Sequence, residues 1–355
     1  MNNSIPDVVD VRAMDVGYFS VKLSLGRKLV DGNSVIHTDL FPSLAPRLPA
    51  GMTLETAMKS KTDGCVVNVN GVCYYVGRDA ILYSSGREPR EVLPDYSNTD
   101  KYRALFLGGL HYIAQDVGAK GDLTIKHLVL GLPLNNFATH HVALTKMAEG
   151  VHELPDPRNP HAVRCITVQR VSVIVQPQGA LTNYAIQNQT ESREGWTLVV
   201  DPGGGTLDWF VARGRQPNWQ RSGAYPKSML HCSYAVADAI NPTWRDNFEI
   251  IERIDRAIRE GAPSFKTAGH VYELSGYTTA IEAVVKEATD KMAAALGSMD
   301  NLDRIIFTGG GAKVFFDYMA EHYPVHKKIM HVDMDSVFAN VKGFQLAGEF
   351  LTASK

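Results

Sequence analysis

The sequence predicts an α/β protein made of two duplicated halves that face each other across a ligand cleft. A short apolar strand ending in Asp15-Val16-Gly17 recurs roughly half the chain later as a strand ending in Asp201-Pro202-Gly203, each with a returning strand behind it. At 355 residues the chain exceeds what one hydrophobic core usually serves. Its hydrophobic share of 45% suffices for two. No low-complexity stretch or flexible linker separates the halves, so they should pack as one hinged body. The expected division is 1–190 and 191–355, with a small subdomain hairpin at about 40–100 in the first half.

The elements justify this reading in order. Val9 to Met14 is strand-like, and Phe19 to Leu25 alternates apolar with polar as a half-buried returning strand does. Phe41-Pro42-Ser43-Leu44-Ala45-Pro46 reads as a loop. Cys65 to Val76 contains Asn70-Gly71, the dipeptide best suited to a two-residue hairpin turn. Folding about that turn sets Cys73 opposite Asn68 and Cys65 opposite Val76. The two thiols are then not cross-strand partners. With Cys165 and Cys232 they fit no zinc spacing, and reduced thiols are expected.

Arg87 to Asp100 is polar and irregular. In Tyr102 to Val117, Leu105, Leu107, Leu110 and Ile113 predict a helix, which Gly118 stops. Ile125 to Leu130 reads as a buried strand, followed by a helix around His140 to Ala148 and a Pro-rich loop from Pro155 to Pro160. Val163 to Val175 gives strand, and Gln178 to Ile186 helix. In the second half Trp196 to Val200 enters the Gly-rich turn and Leu207 to Val211 returns. Ser228 to Gly261 is helical with a break at Pro242, and Thr278 to Leu296 is a long helix. Ile305-Ile306-Phe307 runs into Gly309-Gly310-Gly311. Helices over Val314 to His322 and Ser336 to Leu351 close the chain.

Charge narrows the function. Lys and Arg (36) nearly balance Asp and Glu (38), so no overall field would hold the protein on nucleic acid or an anionic membrane. No apolar run reaches the roughly 18 residues of a membrane span, and the start lacks the pattern of a signal peptide. A cytoplasmic protein is expected, with no membrane contact. Any role on DNA would go through an adaptor.

Chemistry concentrates at the turns. Successive backbone N–H groups in a tight Gly-rich hairpin make a concave anion site, as Gly203, Gly204, Gly205 and Thr206 can. Gly17, Tyr18 and Phe19 would do the same with bulkier residues. An aspartate at each strand end has the wrong sign for phosphate. It fits if a hydrated magnesium ion lies between carboxylate and phosphate. Lys22, seven residues after Asp15, could reach the β- and γ-phosphates, although a solvated strand lysine has the same sequence signature. Gly309-Gly310-Gly311 between strand and helix offers the geometry that places a nucleotide at a helix N-terminus. Neither a Walker loop nor the dinucleotide fingerprint is present.

Taken in order, these segments resemble the actin, sugar-kinase and DnaK-type ATPase superfamily. Asp15-Val16-Gly17 with Lys22 looks like its first phosphate motif, and Asp201-Pro202-Gly203-Gly204-Gly205-Thr206-Leu207-Asp208 like its second, in the form found in ParM. Ile306-Phe307-Thr308-Gly309-Gly310-Gly311-Ala312 looks like the adenosine motif. Ala339-Asn340-Val341-Lys342-Gly343 resembles a connecting segment, and Leu130-Gly131-Leu132-Pro133-Leu134 the stretch that ParM proteins carry at the matching place. Phe41 to Pro46 and Tyr75-Val76-Gly77-Arg78-Asp79-Ala80 resemble plasmid and archaeal members, and within these the chain resembles the protein D component of PRTRC plasmid systems.

The resemblance implies the actin-like (ribonuclease H-like) fold and a ParM/StbA-type ATPase that polymerises head to tail and segregates plasmids through a DNA-binding adaptor. It implies ATP (or GTP) with Mg2+ as cofactors. Asp15 and Asp201 would hold the metal through water. Gly17, Tyr18, Lys22, Gly203, Gly204, Gly205 and Thr206 would hold the phosphates, and Gly309, Gly310 and Gly311 the adenosine. Gln178 falls where the superfamily orients the attacking water. ParM proteins often have Glu there and actins have Gln, which implies slow hydrolysis. A helix-capping role for Gln178 stays open. So does a sugar or small-metabolite kinase of the same superfamily, for which Asp208 is the candidate base.

Overall fold

The computed structural model describes residues 7–49, 62–90, 92–156, 159–188 and 195–353. The expected boundary at 190/191 lies outside the described residues. In the first lobe the chain forms β1 (Asp7–Val16), β2 (Ser20–Val30), β3 (Asn33–Pro42), β4 (Cys65–Val69), β5 (Val72–Val76), α1 (Asp100–Val117), β6 (Leu123–Leu132), α2 (Leu134–Ala148), β7 (Gly150–Asp156), β8 (Asn159–Val168), β9 (Val171–Val175) and α3 (Gln176–Gln187). The second continues with β10 (Trp196–Pro202), β11 (Leu207–Arg213), β12 (Gln216–Pro217), β13 (Gly223–Tyr225), α4 (Met229–Ile240), α5 (Phe248–Glu260), β14 (Ser264–Thr267), β15 (His270–Glu273), α6 (Thr278–Leu296), β16 (Arg304–Phe307), α7 (Ala312–His322), β17 (Met330–Val332) and α8 (Ala339–Ala353).

Each lobe is built on one mixed sheet, ordered β3-β2-β1-β6-β8-β7 in the first, with β9 also on β6, and β12-β11-β10-β16-β17 in the second, with β13 also on β11. The duplication holds at the level of register. β1 is antiparallel to β2 and parallel to β6, and β10 is antiparallel to β11 and parallel to β16. Asp15 stands opposite Lys22, and Asp201 stands opposite Asp208. The central strands are buried on both faces, as parallel strands covered by crossover helices must be. Met14, Leu23, Phe106, Leu110 and Leu130 fill the first core, and Leu198, Val200, Met292, Ile305 and Phe315 the second.

Local signals set the ends of several elements. The Thr99 hydroxyl accepts from the Tyr102 N–H to start α1, and Gly118 in the left-handed region (φ 68°) ends it. In the β4–β5 hairpin Cys65 pairs with Val76 and Asn68 with Cys73, and Asn70 (φ 51°) and Gly71 (φ 83°) supply the positive φ angles of the turn. All four cysteines are free.

Several expectations need correction. The loop at Phe41-Pro42 is the end of β3, where a proline at the strand terminus removes no ladder donor. The Pro-rich stretch 155–160 is entered by β7 as far as Asp156 and left by β8 from Asn159; residues 157 and 158 lie outside the described residues. The largest correction concerns α8. It packs on α3, β1 and β6, so residues 339–353 join the first lobe and not the 191–355 half. Gln345 accepts from Ser24 Oγ (2.9 Å), and Glu349 pairs with Arg27 (2.8 Å). Phe344 and Val341 pack with Ala13 and Val129. The crossing is glycine-tight: a Cβ on Gly343 would lie 1.8 Å from the Gly179 carbonyl oxygen. No helix among the described residues is long and apolar enough to cross a membrane.

Candidate functional site

The two strand–Asp–x–Gly turns open into one cleft. Asp15, Gly17, Tyr18 and Lys22 line it from the first lobe, and Asp201, Gly203, Gly204, Gly205, Thr206, Gly309 and Gly310 from the second. The first turn is closed by the Gly17 N–H donating to the Ser20 carbonyl (3.2 Å), the second by the Gly203 N–H donating to that of Thr206 (2.9 Å). At the start of α4 the Leu230 N–H donates to the Gly204 carbonyl (2.8 Å), which fixes the second turn against that helix.

The aspartates sit in unlike electrostatic settings. Asp15 Oδ2 is 3.2 Å from Lys22 Nζ, and its Oδ1 accepts from Gln176 Nε2 at 2.5 Å. Asp201 accepts from Asn340 Nδ2 at 2.6 Å. Burial pushes Asp201 up to about 6; the Asn340 bond and the charge of Lys22 pull the other way, and the charge of Asp15 adds to the rise. Asp208 is pushed further, to about 7, by burial first, with the neighbouring charge of Asp201 adding to it. It accepts from Thr206 Oγ1 (2.6 Å) and from the Leu134 N–H at the start of α2 (2.9 Å), so it ties the second-lobe turn to a first-lobe helix.

Gly309 is required where it stands. Its φ is +77°, and a Cβ there would lie 2.2 Å from Asp201 Oδ1. Gly310 lines the cleft beside it. Gly311 turns inward instead, since a Cβ there would meet the Met229 side chain at 2.6 Å and the Pro202 carbonyl at 3.0 Å. The expectation that Gly311 packs on a ligand therefore gives way to a packing role inside the second lobe.

The position of the glutamine also changes. Helix α3 begins at Gln176 with Pro177 in its first turn. Gln176 lines the cleft and reaches Asp15, while Gln178, two residues and roughly 200° around the helix, does not line it. Sequence reasoning missed Gln176 because it placed the helix start at 178. Asn340 was quoted in the connecting segment without a role. Arg90, Met229, Glu252, Asp255 and Arg259 also line the cleft, and they carry no motif by which a single sequence would mark them.

The residues present fit a hydrated cation. Among the described residues no cluster of three or more His, Cys, Asp or Glu side chains is arranged to enclose a metal. Two buried carboxylates from opposite lobes, one of them pushed toward protonation, suit an ion that keeps most of its water and is completed by phosphate.

Residues 13–179 match the family model described as the actin-like proteins N-terminal domain. Among solved structures, the apo ParM protein of pSK41 superposes with a TM-score of 0.67 at 19% identity, over 98% of this chain and 99% of that one. The ADP complex of Ta0583, an archaeal actin homologue, gives 0.67 at 20% identity over 96% and 99%. A 15-stranded ParM filament from Clostridium botulinum gives 0.69 at 19% identity over 96% and 99%. No curated protein sequence matches the chain. Residues 13–179 are thus similar to the N-terminal domain of the actin-like proteins, and the chain has the actin-like fold along nearly its whole length.

Proposed function

We propose that the chain binds ATP, or GTP, with magnesium in this cleft, hydrolyses it slowly and assembles head to tail into filaments that move plasmid DNA in the cytoplasm through a DNA-binding adaptor. One observation carries the reading: a phosphate-type turn from each lobe, with its buried aspartate, opens into the same cleft. The ADP complex of Ta0583 and the ParM filament support it at the level of shared fold.

Each residue has a task in this reading. Gly203, Gly204, Gly205 and Thr206 cradle phosphate oxygens with backbone N–H groups. Lys22 turns from Asp15 toward the β- and γ-phosphates. Magnesium would supply charge neutralisation at the transferring phosphoryl group. Asp15 and Asp201 hold its water shell. Gln176, with an amide that orients water without removing its proton at neutral pH, takes the role expected of Gln178. The lobes close because each contributes to one ligand, and a contact that is head to tail and does not close on itself grows a filament.

A kinase would need a carboxylate free to accept a proton from its acceptor hydroxyl. Asp208 is engaged by Thr206 and Leu134, which argues against that use. Light scattering and negative-stain microscopy with Mg-ATP, Mg-GTP or neither should give polymer only with nucleotide. Monomer throughout, together with ADP release that depends on an added sugar, would overturn the reading in favour of the kinase.

A further inference from the structure

Among the described residues several contacts join the lobes, the Leu134–Asp208 hydrogen bond being one. Near α3 and α8 the chain itself passes between them, and the Gly179–Gly343 crossing makes a compact pivot. A second set, around Arg90, involves no chain passage. The Arg90 side chain, 5% exposed, lies with its guanidinium 3.7 Å from the ring centre of Phe19 and 3.9 Å from that of Phe248. Phe19 belongs to the first-lobe phosphate turn, yet its ring covers Gly204 of the second: a Cβ on Gly204 would lie 2.5 Å from it. Phe248 opens α5 of the second lobe, yet it is buried among Leu44, Val66, Tyr75 and Ala80 of the first. Tyr234 of α4 donates its hydroxyl to the Arg90 carbonyl at 2.5 Å. Val92 reaches Gly205 and packs against the second-lobe core.

We infer that Arg90 is a positioning residue of the nucleotide site, the centre of a Phe19–Arg90–Phe248 clasp that holds the lobes closed and sets how fast bound nucleotide leaves. The inference rests on the nucleotide reading proposed above. Its geometry explains why a buried arginine is kept with its Nε unpartnered: the flat guanidinium is held by ring faces, and the acidic Asp255 and Glu252 of the opposite lobe attract it. Opening about the α3–α8 pivot must separate Phe248 from the first-lobe cluster, lift Phe19 from Gly204 and break the Tyr234 hydrogen bond. Phe19 and Phe248 share the Arg90 side chain, while Tyr234 holds its main-chain carbonyl, so losing the side chain should loosen both rings together and leave the Tyr234 bond to be tested by itself.

The test uses the full chain with Mg2+ and a fluorescent N-methylanthraniloyl ATP, chased with unlabelled ATP. Arg90→Ala and Phe248→Ala should each release the probe at least tenfold faster than the parent, with thermal midpoints showing the fold intact. Arg90→Lys should not restore slow release, because an ammonium has no plane to stack. Tyr234→Phe, the mildest change, should quicken release a few-fold. A second readout needs no nucleotide: hydrogen exchange of the 203–206 amides should quicken in Arg90→Ala while the strands beneath stay protected. Release within twofold of the parent in Arg90→Ala and Phe248→Ala, or unchanged exchange at 203–206, overturns the clasp. If the parent binds no nucleotide, the site reading falls, and the exchange measurement alone decides the clasp.

Discussion

The two phosphate-type turns share a register and differ in what stands opposite the aspartate. In the first lobe Asp15 faces Lys22, and the pair is an ion pair at 3.2 Å. In the second Asp201 faces Asp208, and burial pushes both upward. Side-chain size differs in the opposite sense. The first turn carries Tyr18 and Phe19, while the second carries three glycines, two of which lie under those rings, Gly204 under Phe19 and Gly205 under Tyr18. The halves of the duplication have become complementary, bulk against space and a neutralised carboxylate against one that lacks a cation. The second lobe is thus the half that stands to gain most from a metal ion, and the first the half that reaches across.

Substitutions can break or sharpen this contrast. Removing Asp201 strikes at the half with no cation of its own, and Asp201→Ala should lower ATP-dependent phosphate release by about three orders of magnitude. Release within tenfold of the parent would remove Asp201 from the metal's shell.

Asp208→Asn tests the strain directly. Asp208 keeps its proton to about pH 7 in the folded chain against an ordinary value of 3.8, so the folded state holds the extra proton between those values and loses stability as the pH rises through that window. An asparagine cannot ionise. The ligand-free variant should therefore be more stable than the parent at pH 8, by up to about 4 kcal/mol. The gain should shrink as the pH falls and vanish below the ordinary carboxylate range, as chemical denaturation at several pH values would show. A pH-independent difference would mean that the second lobe carries no such strain.

Gln176→Ala should slow hydrolysis by roughly 10- to 100-fold while nucleotide affinity stays within about threefold. Gly309→Ala should cost about 1–3 kcal/mol in thermal or denaturant unfolding, because φ +77° and the contact with Asp201 both exclude a side chain. The smallest effect belongs to Gln178→Ala, which should leave hydrolysis within about twofold. The reverse order for the two glutamines would return the water-orienting role to Gln178.

Local chemistry made much of this legible. The paired strand–Asp–x–Gly turns are readable because glycine and a buried acid at a strand end are rare together, and the Asn70-Gly71 hairpin came with its register. Helix α6 matched Thr278 to Leu296 because its periodicity is long and uninterrupted. The strands β14, β15 and β17 are only three or four residues each, too short to display a period. The return of α8 to the first lobe is a non-local choice made by Gly179, Gly343 and Phe344 in contact, and periodicity cannot announce it. The same holds for Gln176 against Gln178, where an error of two residues in a helix start turns the side chain to the opposite side. Arg90 was passed over inside a stretch read as irregular loop, since its partners Phe19 and Phe248 lie far away in sequence.

A crystal structure grown with magnesium and a non-hydrolysable ATP analogue addresses the central claim most directly. The triphosphate should lie between Gly17–Phe19 and Gly203–Thr206, with one hydrated metal bridged through water to both Asp15 and Asp201. A nucleotide bound to one lobe alone, or a metal reached by only one of the two carboxylates, would contradict the account.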